Sequence, residues 1–165
     1  MNIIPILMKE MANEAVITRK MLSIIPEDKY DWQTHPKSMT IRQLASHIAE
    51  LPGWAAMGLT TPELDFAATP YTPQPINNNA ELLAFFEEKQ NQGLAELEKA
   101  TEEQLLEPWT LRNGEMILAK YQKHEVVRVA LDQTTHHRAQ LGVYLRLLDV
   151  PIPGSYGPSA DELGK

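Results

Sequence analysis

Residues 126–148 read VVRVALDQTTHHRAQLGVYLRLL, and within them Val126, Ala130, Gln133, His137, Leu141, Tyr144 and Leu148 recur at steps of three and four. That spacing lines all seven up on one face of an α-helix. It is the most regular apolar stripe in the chain, and it carries two polar groups, Gln133 and His137, one turn apart on the side that a packed helix buries. A long last helix with chemistry on its inner face is therefore the first expectation.

Working outward, prolines mark the other elements, because proline lacks a backbone donor and collects at helix starts and in loops. After Pro5, the residues Ile4, Leu7, Met11, Ala15, Thr18, Leu22 and Ile25 define an amphipathic first helix that ends before Pro26. Thr40 and Gln43 have capping-box spacing, so a second helix starts there with the stripe Ile41, Leu44, Ile48, Leu51 and Trp54, and Pro52-Gly53 predicts a kink or an early end. From Thr60 to Asn79, four prolines and three consecutive asparagines favour an extended crossover. It is long enough for helices two and three to run parallel or to lie across the bundle from each other. Helix three begins near Asn78, with Glu81 at the capping position and Leu83, Phe86, Gln90, Leu94 and Leu97 on one face. A short helical turn, Thr101 to Leu106, follows. Asn113-Gly114 between apolar-rich arms predicts a β-hairpin before the last helix. With no repeat or linker, residues 1–165 read as a single all-α domain. The expected architecture is a four-helix bundle with a long crossover between helices 2 and 3 and a small β-hairpin before helix 4.

Composition removes whole classes of function. The 165 residues are 43% hydrophobic, enough for one core, and contain no cysteine, which excludes disulfides, thiolate nucleophiles and Cys-ligated metals. A net charge of −7 without a basic block gives no grip on a phosphate backbone, so nucleic acid is not an expected partner. The apolar start Ile3, Ile4, Ile6, Leu7 is broken by Pro5 and followed by Lys9-Glu10; it reads as neither a signal peptide nor a membrane span, and the protein as cytoplasmic.

Five histidines remain. His47 lies three residues after Leu44 and four before Leu51, so His47, Gln133 and His137 converge from two helices. Two readings are open: a divalent metal held by imidazoles, or a core histidine with Gln133 hydrogen-bonding His47 across the bundle and no metal. His136 is turned by about 100° from His137, and Asp132, four residues earlier, suits a pair with it. His35 and His124 read as surface or capping residues, the three tryptophans as packing, and Glu87, Glu88, Glu102 and Glu103 as solvated helix faces. No Gly-rich phosphate loop, nucleophile elbow or paired Glu-x-x-His motif is present.

The run Ser38-Met39-Thr40-Ile41-Arg42-Gln43-Leu44-Ala45-Ser46-His47-Ile48-Ala49-Glu50, the run His136-His137-Arg138-Ala139-Gln140-Leu141 and the tail Tyr156-Gly157-Pro158-Ser159-Ala160-Asp161-Glu162 resemble the DinB family over nearly the whole chain. This is a group of damage-inducible and YfiT-like four-helix proteins. The resemblance implies a metal ligand from a helix-two histidine, matched by His47, and two from a His-x-x-x-His pair in the last helix, matched by Gln133 and His137. Gln133 stands where the family has histidine, and Ala139 where it has glycine. An amide oxygen is a weaker ligand than imidazole for zinc or nickel, so such a site binds less tightly or favours a harder ion. The resemblance further implies a homodimer and a metal-dependent enzyme of thiol S-transferase, hydrolase or isomerase type. Such an enzyme acts on a small-molecule substrate, with a low-molecular-weight thiol such as bacillithiol or mycothiol as co-substrate; because long ordered loops often carry binding functions, the bundle end beside the Thr60–Asn79 crossover is then the candidate substrate mouth. The competing reading is a catalytically inactive, metal-free or weakly metal-binding module for binding or dimerisation.

Overall fold

The computed structural model describes residues 2–165. Its elements are α1 (Ile4–Ser23), a 3₁₀ turn (Glu27–Lys29), α2 (Ile41–Glu50), α3 (Pro52–Thr60), β1 (Glu63–Asp65), α4 (Asn79–Lys99), α5 (Glu102–Leu105), β2 (Pro108–Asn113), β3 (Met116–Gln122) and α6 (Lys123–Leu147).

Helix starts follow the local chemistry. At α2 the reciprocal capping box forms: Gln43 N–H donates to Thr40 Oγ1 at 3.2 Å, and Thr40 N–H to Gln43 Oε1 at 2.9 Å. Asn78 caps α4 by accepting from Glu81 N–H at 2.8 Å. Pro52, with no N–H to give, separates α2 from α3, yet Leu51 stays in the helical region and still donates to His47 C=O at 3.2 Å. The expected break is therefore a kink between two short helices that nearly continue each other.

α4 packs on α1, α2 and α3, and α6 packs on the same three. The second helical segment and α4 are thus direct neighbours, not placed across the molecule from each other. One core cluster joins the C-terminal half of α1 to α2, α4 and the end of α6 through Leu22, Ile41, Leu44, Ile48, Phe86 and Leu141; a second joins Leu7, Met11, Ala55, Leu59, Leu97 and Val127. On α4 the expected Phe86, Gln90 and Leu97 are buried, but Leu82 and Gly93 take the buried places expected of Leu83 and Leu94, which are half-buried. Gly93 explains the shift, since a Cβ there would sit 2.3 Å from the Pro52 carbonyl oxygen; the backbones of α3 and α4 touch at this point.

The all-α expectation needs correction. The hairpin forms, with Gly114 at φ +59°, but β1 from the crossover adds to it in parallel with β2, making a three-stranded sheet of order β1-β2-β3. Asp65 fastens this junction: its carboxylate accepts from Gly114 N–H at 2.8 Å and Ala67 N–H at 2.9 Å, and these donors hold its pKa below the ordinary value. At the far end of the crossover Ile76 is buried in the core and Arg42 donates to its carbonyl. Among the described residues no helix is long and apolar enough to cross a membrane.

Candidate functional site

Two helices deliver the candidate residues. α2 presents His47 at the edge of its apolar stripe, half-buried, and α6 presents His137, which is 9% exposed. Their rings meet edge to face with centroids 4.7 Å apart, so the sequence-derived convergence of His47 and His137 is present. Gln133 joins them through His137: its Oε1 lies 2.8 Å from His137 Nε2. It bonds the histidine one turn along its own helix and not His47, as the metal-free alternative had it.

The orientation of each imidazole follows from its second nitrogen. His47 Nδ1 is 2.6 Å from Glu50 Oε1, one turn further along, and among the described residues Nε2 has no hydrogen-bond partner. His137 has a glutamine at each nitrogen, Gln133 at Nε2 and Gln140 Oε1 at Nδ1, both at 2.8 Å. Burial pushes the His137 pKa down, so the ring is neutral and carries a single N–H. One ring nitrogen then accepts, and only one of the two glutamines can present its oxygen to an N–H; the other must turn its amide NH₂ toward the ring.

His47, but neither His137 nor Gln133, lines a cleft of 620 Å³ walled by α2, Trp54 of α3 and the crossover residues Phe66, Tyr71 and Pro73. The volume is in the range of small-molecule sites. Trp54 stands edge-on to His47 with centroids 5.9 Å apart. Under the cleft wall Ser46 is buried, and its Oγ is the single buried side-chain polar atom without a hydrogen-bond partner among the described residues.

Several expected residues sit elsewhere. His136 is exposed and lines a different depression with Glu10, Glu14 and Tyr156, although its ring is 4.8 Å from that of His137. Asp132 does not pair with it but with Arg128, at 3.0 Å. Glu87, read as solvated, holds Arg19 in a two-pronged ion pair that lowers its own pKa, and Glu102 accepts from Ile3 N–H at 2.8 Å. Glu50 and Tyr71 were not candidates from sequence. Glu50 was visible only as a carboxylate three residues after His47, a spacing that helical faces show routinely.

For a divalent ion, the donor atoms on hand are one nitrogen each from His47 and His137 and the Gln133 amide oxygen. Two donors each about 2.1 Å from one ion and at right angles lie about 3 Å apart, so the 2.8 Å between His137 Nε2 and Gln133 Oε1 is compatible with a shared ion as well as with a hydrogen bond. Among the described residues no three His, Asp or Glu side chains gather as a ligand cluster. The set therefore fits only as two imidazoles supported by a neutral amide.

These features define a class: a mostly helical protein with a small sheet, in which histidines from two different helices meet and one of them lines a cleft. The chain belongs to the DinB family, whose model matches residues 4–164. It is similar to the protein YrdA of Bacillus subtilis (strain 168), 22% identical over 153 residues, covering 92% of this chain and 87% of that one. Among solved structures it is similar to the DinB-like protein YjoA of Bacillus subtilis, with a TM-score of 0.69 and 20% identity over 90% of this chain and 96% of the other. A DinB-like protein from Bacillus cereus ATCC 10987 gives a TM-score of 0.68 and 16% identity over 91% and 95%. Both structures share its fold.

Proposed function

We propose that this DinB-family chain, read as a four-helix bundle in which α2 and α3 form one kinked member, binds a small molecule in the cleft that His47 lines. In this reading the chain uses a weakly held divalent metal there. The meeting of the two imidazoles, 4.7 Å apart, with His47 on the cleft wall, is the observation that carries the reading. His47, Gln133 and His137 are the ligands, zinc or nickel the ions best matched to two imidazoles, and the amide makes the site weaker than one with three. Bound with open positions, such an ion lowers the pKa of a water or a thiol and polarises an electrophile.

The chain's own groups supply the rest. Glu50 orients His47, Gln140 orients His137, and Trp54, Phe66 and Pro73 form the dry wall that would hold an apolar part of the substrate. A low-molecular-weight thiol is the proposed co-substrate, and transfer, hydrolysis and isomerisation are the reaction types it suits. A homodimer is proposed with it.

One observation favours a second reading. His137 has both nitrogens met by glutamine side chains, so the pair can be complete without metal, as in an inactive binding module. Elemental analysis of tag-free protein separates the two. About one zinc or nickel per chain after reconstitution supports the metal reading, and none selects the module.

A further inference from the structure

Between Asp65, fastened to the hairpin, and Ile76, fastened in the core, the crossover spans the cleft mouth with exposed backbone. Among the described residues, one side-chain hydrogen bond ties residues 70–75 to the helices: Tyr71 O–H donates to Glu50 Oε2 at 3.2 Å. The other oxygen of the same carboxylate holds His47 Nδ1 at 2.6 Å. Glu50 and His47 side chains are 17% and 18% exposed, so this carboxylate is largely withdrawn from water and both of its oxygens are committed.

We infer that Glu50 is a positioning residue with two tasks: one carboxylate oxygen fixes the His47 tautomer, and the other anchors the crossover over the cleft through Tyr71. The inference rests on the reading of His47 as a site residue. Its chemistry is that of a carboxylate behind an imidazole ligand. By accepting from Nδ1–H it leaves Nε2 as the nitrogen free to donate its lone pair and fixes the direction of the ring. In a site with one neutral amide ligand, that fixed orientation and the carboxylate's charge offset part of the weakness.

The test uses the full chain, metal-free, with ¹⁵N-labelled imidazoles observed at about pH 9, where neutral tautomers are resolved; the His47 signals are assigned by their loss in His47→Gln. The parent is expected to show His47 as the Nδ1–H tautomer, and Glu50→Ala to shift it toward Nε2–H. Tyr71→Phe is expected to keep the Nδ1–H tautomer while amide exchange at residues 67–75 speeds up, as it also should in Glu50→Ala. Glu50→Gln, which retains an acceptor, restores the parent tautomer and controls for loss of fold. A parent His47 already in the Nε2–H form, or an unchanged tautomer in folded Glu50→Ala, overturns the positioning role; unchanged exchange in Tyr71→Phe overturns the anchoring. A parallel zinc titration is expected to weaken by about 10- to 100-fold in Glu50→Ala. A parent that takes up no zinc sinks the metal reading alone, because the tautomer is read without metal.

Discussion

Arg138 follows His137 in the chain and faces the other way. It is 2% exposed, and its guanidinium meets Glu14 at 2.7 Å, Thr18 Oγ1 at 2.9 Å and Tyr156 O–H at 2.8 Å. The arginine of the His-Arg motif therefore locks the rotation of α6 against α1, and that rotation aims His137 at His47. A buried charge that loses its partner is strongly destabilising, so Glu14→Gln should cost about 3 kcal/mol in urea unfolding. A loss below about 0.5 kcal/mol would mean that the pair does not hold the helix. Ser46 makes the converse case: with its Oγ buried and unpartnered, Ser46→Ala should leave stability unchanged or raise it by about 1 kcal/mol. A clear loss in the same assay would reveal a partner for the hydroxyl. At this scale the sequence exposed His47 and His137 because an imidazole on an apolar stripe breaks the pattern. It hid Glu50 and Tyr71, since a carboxylate on a half-exposed helix face and a tyrosine among prolines break none.

Elements are held in place by a few close approaches. α3 meets α4 at Gly93, and a methyl group there would collide with the Pro52 carbonyl. Gly93→Ala should cost about 1–3 kcal/mol despite alanine's better helix propensity; a stabilised variant would contradict the packing described for α3 and α4. The tail is held by Asp161, which accepts from Arg146 and from Ile152 N–H; these bonds, the arginine's first, lower its pKa from 3.8 to about 2. The unfolded chain takes up this proton first as pH falls. Asp161 thus contributes stability that is full above about pH 4 and is lost as pH falls through about 2. Hydrogen exchange at the Ile152 amide should accelerate over that window in the parent, and in Asp161→Asn it should already be fast at neutral pH. Helix ends at Thr40 and Asn78 and the Gly114 turn were legible because each is encoded within four residues. β1 was not: three residues are too short for alternation to register, and their pairing with β2 lies about fifty residues away in sequence. The stripe on α4 departed at Leu82 and Gly93 for a related reason, since Gly93 is chosen for a neighbouring backbone and carries no hydrophobic signal.

At the scale of the whole molecule, helices with a sewn-on sheet bring α2, Trp54 of α3 and the crossover to one cleft, and α6 sets His137 against His47, which lines it. The order of the long helices was legible because each carries its own periodicity, whereas the convergence of His47, Gln133 and His137 became geometry only once α6 had packed on α2. The proposed homodimer makes a simple demand: sedimentation equilibrium should return about 37 kDa, twice the 18.6 kDa of the chain, and a monomer mass at micromolar concentration would refute it. The central claim is that two imidazoles from different helices and one amide form a single weak metal site. Calorimetric titration of zinc into tag-free parent, Gln133→His and His137→Ala tests it most directly. The account predicts one ion per chain in the parent, tighter binding in Gln133→His and none in His137→Ala. Equal binding by His137→Ala and the parent would contradict it.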